Sequence, residues 1–198
     1  MSRDPHAPRA FQIDRPHFGY GSNMWPPWLW KDAPSARERG AAHLDGWTLR
    51  FRKRSQKDGS AKADIAKVGG VVRGGLFDIA TNDLRDLNEK EGGYVPVPVT
   101  VRDLAGEPID AWTYTTKSTN TRGPLWPYRW YLELVQRGAD HFDLPKAYRE
   151  RLRARRGKAR RQRATRSGGR EVPRRQSRAF SRAVGVDVVS AARHLAVT

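Results

Sequence analysis

The sequence predicts an α+β protein, a small mixed β-barrel or curled sheet packed by helices. Three observations carry this. Several short segments alternate apolar and polar residues with the period of a half-buried strand. One short helical pattern lies among them. Two more helical patterns follow the last strand, where they can cover a sheet.

His17-Phe18-Gly19-Tyr20 reads as a short strand running into the turn Gly21-Ser22-Asn23, whose residues all suit tight turns. The segment Met24–Trp30 carries Pro26 and Pro27, which preclude a regular helix across it. Residues 45–54 place Trp47, Leu49 and Phe51 on one face and Thr48, Arg50 and Arg52 on the other. Residues 63–68 and 71–79 read as two further strands around Gly69-Gly70. Gly74 and Gly75, inside the second, imply a bulge or a close backbone approach. Thr81 is the expected cap of a helix over 82–90, with Leu84 and Leu87 on one face and Gly92-Gly93 ending it. Strands over 94–103 and 109–116 flank a hairpin connection, and Pro96 and Pro98 mark the first as an edge or irregular strand. A helix over 127–138 stops at Gly138. Another over 143–156 has Asp143 as cap and Pro145 in its first turn. A short helix over 183–197 is also expected, and no internal repeat is visible.

Charge divides the chain. Residues 1–150 hold 23 Lys/Arg against 19 Asp/Glu, whereas residues 151–198 hold 15 against two, Glu171 and Asp187. The net charge of +17 therefore belongs mainly to the C-terminal end. The expected organisation is an arm over 1–16, one domain over 17–156 and an Arg-rich tail over 157–198. The plain reading of the tail is a solvated, disordered extension. The sharper one is a weak, sequence-blind contact with nucleic acid or an anionic surface through 151–182. Phe180 is the one aromatic ring after Tyr148.

The absence of cysteine excludes disulfides and thiol chemistry and fits a cytoplasmic location. The polar N-terminus is no signal peptide, and no apolar run is long enough to span a membrane. His6, His17, His43, His141 and His194 show no metal spacing, Ser22 sits in no nucleophile elbow, and there is no phosphate loop or dinucleotide fingerprint. No metal or cofactor is expected.

Five blocks together resemble the γ-glutamylcyclotransferase superfamily (AIG2-like proteins). These are Tyr20-Gly21-Ser22-Asn23-Met24; Pro34-Ser35-Ala36 with Leu44-x-Gly46-Trp47-x-Leu49-x-Phe51; Val71-x-x-Gly74-Gly75-Leu76-Phe77; Leu84-x-x-Leu87-Asn88-Glu89-Lys90-Glu91-Gly92 with Tyr94; and Tyr131 with Gly138-Ala139 and Leu144-Pro145-x-x-Tyr148. They cover roughly residues 17–153. The family often shows Asp-x-x-Glu-Gly where this chain has Asn88-Glu89-Lys90-Glu91-Gly92. The tail has no counterpart there.

The resemblance implies an enzyme in which the α-amine of a γ-glutamyl amine or dipeptide attacks its own δ-carbonyl and releases 5-oxoproline. It implies Glu91 as the general acid/base and Tyr20, Gly21, Ser22, Asn23, Tyr94 and Tyr131 as substrate-binding residues. A carboxyl suits the role because it can take the amine proton and return it to the leaving nitrogen. Consecutive peptide N–H groups in a glycine turn suit a carboxylate. Each residue also has a plain reading. Glu91 and its rival Glu89 would be solvated helix-end acids, Tyr94 and Tyr131 would be packing residues, and Trp25, Trp28 and Trp30 would be hydrophobic cover. The alternative function is a non-catalytic member of the same fold that binds a small ligand or nucleic acid through its basic end.

Overall fold

A computed structural model describes residues 15–116 and 125–159. The expectations for the N-terminal arm, for most of the loop 117–126 and for residues 160–198, including the helix over 183–197, lie outside the described residues.

Seven strands form: β1 (His17–Gly19), β2 (Arg37–Asp45), β3 (Thr48–Arg54), β4 (Ala61–Ala66), β5 (Val71–Asp78), β6 (Tyr94–Arg102) and β7 (Pro108–Thr116). Five close a barrel in the order β1-β5-β2-β6-β7, and β3 and β4 pair as a separate two-stranded ribbon. The barrel closes where His17 of β1 meets Trp112 of β7 in parallel, the other pairings being antiparallel. This is the mixed barrel the alternation predicts.

Gly74 and Gly75 are explained by close approach. A Cβ on Gly74 would lie 2.2 Å from the Gly19 carbonyl oxygen, and one on Gly75 would lie 2.2 Å from the Phe142 ring. Any side chain there would push β1 or the ring off the barrel. β6 pairs with β7 along its whole length but with β2 only at Arg102. Pro96 and Pro98 therefore sit where a missing N–H breaks no ladder on the β2 side.

Among the described residues, four helices cover the sheet: α1 (Pro26–Leu29), α2 (Thr81–Lys90), α3 (Arg129–His141) and α4 (Lys146–Arg153). No described helix is long and apolar enough to cross a membrane. α1 is a single turn with prolines in its first two positions, where the N–H groups have no intrahelical partner anyway. The two prolines thus permit one turn of helix. α2 starts at Thr81, with Ala80 in the cap position and no side-chain cap bond, so Thr81 is not the cap. Leu84 and Leu87 of α2 are buried beside Leu29, Phe77, Trp112 and Tyr114 in one of two apolar clusters. Burial of a leucine is worth roughly 1.5–3 kcal/mol, which seats this short helix and the residue that follows it.

One strand was not expected, and two further expectations are corrected. β2 escapes alternation analysis because its first half is exposed and a bulge between Glu38 and Gly40 breaks its phase. Gly138 does not stop α3. It lies within the helix, where a Cβ would come within 2.9 Å of Met24, so the glycine serves packing. Asp143 does not cap α4. It takes a positive φ of 43° in the connecting turn, and Pro145 holds the cap position.

Candidate active site

The turn after β1, the middle of β4, the end of α2, the start of β6, the end of β7 and the first turn of α3 surround one cleft. It is narrow, with a cavity volume of about 40 Å³. All seven residues expected at a site line it: Tyr20, Gly21, Ser22, Asn23, Glu91, Tyr94 and Tyr131.

The turn is built by short-range bonds. Met24 N–H donates to Gly21 O and Trp25 N–H to Ser22 O, giving a 3₁₀ turn over Ser22–Met24. Met24 is fully buried and anchors the turn beneath α3. Gly21 packs closely here: a Cβ would lie 3.1 Å from Ala63 Cβ and 3.3 Å from the Tyr131 hydroxyl and would press on both. Tyr20 donates its hydroxyl proton to the Tyr114 carbonyl at 2.6 Å, so it walls the cleft and has no proton left for a ligand.

Glu91 is the first residue past α2. Its N–H still donates to Leu87 O, and Gly93, at a φ of 84°, then swings the chain into β6. The half-buried carboxylate comes to face the turn. Asn23 Nδ2 donates to Glu91 Oε1 at 2.6 Å. Burial raises the Glu91 pKa above the usual carboxylate range, while the Asn23 bond and the charge of Lys53 pull it partly back. Glu89, its rival in the sequence, is exposed.

The phenols divide the remaining work. Ala63 N–H donates to the Tyr131 hydroxyl at 3.0 Å, and the Tyr94 hydroxyl donates to Ala63 O at 2.5 Å. Tyr94 therefore spends its proton on the wall, whereas the Tyr131 hydroxyl accepts from Ala63 and also bonds Ser22 of the turn. Burial pushes Tyr131 up to about 12, so it stays a neutral phenol. The peptide of Ala63 is itself fixed by its neighbour. Asp64 is fully buried, bonds Arg52 Nε at 2.7 Å and accepts from Thr116 N–H at 3.0 Å, tying β4 to β7.

The fold has counterparts in known proteins. Residues 71–152 match the model of the AIG2-like family. A solved structure named gamma-glutamyl cyclotransferase is 27% identical, over 73% of this chain and 89% of that one, with a TM-score of 0.67. Both findings are similarities to the γ-glutamylcyclotransferase (AIG2-like) superfamily, in residues 71–152 and in fold. An uncharacterised Homo sapiens protein is 28% identical over the same shares, also with a TM-score of 0.67. YkqA from Bacillus subtilis is 26% identical over 70% of this chain and 52% of its own, with a TM-score of 0.59. No curated protein sequence matches.

In and beside this cleft, sequence reasoning missed two residues. Lys53 of β3 is buried, donates to Gly92 O at 2.7 Å and lies 4.6 Å from the Tyr94 ring centroid. Burial lowers its pKa, and the Glu91 charge opposes that. The signal was present in the strand: Lys53 is in phase with Leu49 and Phe51, so the alternation that points them inward points it inward too. Tyr114 of β7 donates its hydroxyl to Asn88 Oδ1 at 2.5 Å and pins the last turn of α2 beside the cleft. No sequence signal marks that pairing. Among the described residues, no group of three or more His, Asp or Glu side chains gathers in a way that could hold a metal.

Proposed function

We propose that this chain is a γ-glutamylcyclotransferase that releases 5-oxoproline from a γ-glutamyl amine or dipeptide, with Glu91 as general acid and base. The observation that carries the reading is the half-buried Glu91 carboxylate, bonded by Asn23 from the Tyr-Gly-Ser-Asn turn across the same cleft.

The substrate's α-carboxylate lies against the peptide nitrogens of Gly21, Ser22 and Asn23. Its chain folds so that the α-amine meets the δ-carbonyl. Ring closure needs no second reactant, so the cleft contributes mainly by holding the attack conformer, an effect that can reach several kcal/mol. As the N–C bond forms, Glu91 takes the amine proton. It then gives that proton to the departing nitrogen as the original amide C–N bond breaks, and the acid is ionised again. A carboxyl with a raised pKa suits both halves, since it holds a proton more readily than an exposed one. Tyr131, a neutral phenol bonded by Ala63 and Ser22, lines the cleft beside the turn that holds the carboxylate.

The test is 5-oxoproline release from a panel of γ-glutamyl amino acids, amines and peptides, with Glu91→Gln alongside. Glutamine can still accept the Asn23 bond but cannot exchange a proton. The variant is expected to fold and to lose nearly all turnover with little change in substrate affinity. Turnover by Glu91→Gln at a rate close to wild type would overturn the assignment. Ligand binding without any release of 5-oxoproline by the wild type would favour a non-catalytic binding protein.

A further inference from the structure

On a different face, the segment after α4 folds back against the start of α3. Lys158 N–H donates to Pro127 O at 2.8 Å, and Arg129 N–H donates to Lys158 O at 3.0 Å. Gly157 permits the contact, because a Cβ there would sit 2.9 Å from Leu132 and 3.1 Å from the Arg129 backbone. This strap brings Arg155 and Arg156 to the same hollow as Arg129. That hollow of about 440 Å³ has, among the described residues, Glu133 as the one acid in its lining. Arg155 also lines a second hollow of about 240 Å³, together with Arg151.

We propose that this face binds the phosphate backbone of a single-stranded nucleic acid through Arg129, Arg151, Arg155 and Arg156. Among the described residues, none of the four pairs with a carboxylate. The contrast lies on the same helix, where Arg149 pairs with Asp140 and Asp143, and Arg153 pairs with Asp140. Arg151 and Arg155 lie over the rings of Tyr148 and Phe51 at 5.5 and 5.4 Å, which holds the guanidinium planes while leaving their N–H edges to bond. Arg129 also opens α3, and a cation at a helix N-terminus is disfavoured by the macrodipole. Four like charges crowded this way cost stability that bound anions would restore.

The arrangement selects the partner. Four cations spread over two hollows with a shared wall suit a repeating chain of phosphates better than one small anion. Guanidinium forks suit phosphate oxygens. Of the apolar residues lining the hollows, Leu49, Leu132 and Leu152 are buried and Val71 alone is exposed, too little to enter a bilayer. Trp126, 45% exposed, precedes the Pro127 carbonyl that holds the strap and offers a ring on which an unpaired base can stack. In sequence, the chain then adds Arg160, Arg161, Arg163, Arg166 and Arg170 before its next acid, Glu171.

The test uses the full chain and a labelled RNA strand of about 20 nucleotides, with anisotropy followed from about 50 to 300 mM salt. Removing three phosphate contacts in Arg129→Gln/Arg155→Gln/Arg156→Gln should make the log K against log salt slope shallower by about 2, and should weaken binding at least about tenfold at the lowest salt. The variant Arg39→Gln/Arg85→Gln/Arg102→Gln removes equal charge elsewhere and should change binding far less. Should the first triple variant fail to fold, the exposed single change Arg156→Gln is expected to reduce the slope by about 0.7. The proposal is overturned if the arginine variants bind as the wild type does, if both triple variants weaken binding equally, if the wild type does not bind the strand, or if anionic vesicles capture it better than RNA at equal phosphate. The outcome is independent of the cyclotransferase reading.

Discussion

Replacing Asn23 by aspartate leaves the shape of the cleft almost unchanged. It turns the donor 2.6 Å from Glu91 Oε1 into a second carboxylate. If both acids ionise, the bond to a charged group, worth about 1.5–3 kcal/mol, is lost. Two like charges about 4 Å apart then also repel by about 4 kcal/mol at an effective dielectric near 20. If the pair keeps one proton instead, an acid-to-carboxylate bond replaces the amide bond and the repulsion disappears. Holding that proton at pH 7 costs about 3.7 kcal/mol against an unfolded glutamate pKa of about 4.3, which is the cheaper course. The folded variant then binds one proton more than the unfolded chain. Its stability must fall as pH rises from about 4.5 to 7. Asn23→Asp should therefore lie about 3–4 kcal/mol below wild type at pH 7 and within about 1 kcal/mol at pH 4. Urea unfolding midpoints at several pH values measure this directly. A deficit that is the same at every pH, or a variant as stable as wild type at pH 7, would refute the placement of these two side chains against each other.

Two other perturbations test the same site and its neighbourhood. Lys53→Met removes a buried cation whose charge holds the Glu91 pKa down, so the ascending limb of the kcat/KM–pH profile should move to higher pH; Lys53→Arg should restore it in part, and an unmoved limb would show that Lys53 only packs. His17 is buried against Trp112, and burial lowers its pKa from 6.5 to about 3, with a Trp112 backbone bond opposing that. The unfolded chain therefore takes up the proton first, and stability is lost as pH falls from 6.5 toward 3. Between pH 6.5 and 5 this removes about 2 kcal/mol in the wild type. In His17→Leu that decline should flatten, as read from thermal or urea unfolding; an unchanged decline would rule His17 out as its source.

Much of this fold can be read in the chain, because period and punctuation act locally. The alternation in 94–103 and 109–116 places β6 and β7 within a residue or so at each end. Leu84 and Leu87 mark the buried face of α2, and Gly74-Gly75 marks a close approach. β2 was not legible, since half of it faces solvent and its bulge breaks the phase. Gly138 misled for a related reason: a glycine that makes room for Met24 has the same local appearance as one that ends a helix.

The site divides along the same line. Sequence alone determined its chemical content: an acid after a two-leucine helix, a glycine turn after a short strand, and tyrosines at the start of β6 and in α3, in an order that resembles one superfamily. Tertiary structure decided what each group is free to do. Closing the barrel brings Asn23 to Glu91 across 68 residues of chain, and the β3–β4 ribbon sets Lys53 beside Gly92 and the Tyr94 ring. The fold also commits the protons of Tyr20 and Tyr94 to backbone carbonyls and sets the Tyr131 hydroxyl between Ala63 and Ser22. Hydrogen bonds and burial between distant segments set protonation and donor roles. Those quantities depend on distances that a linear sequence does not contain.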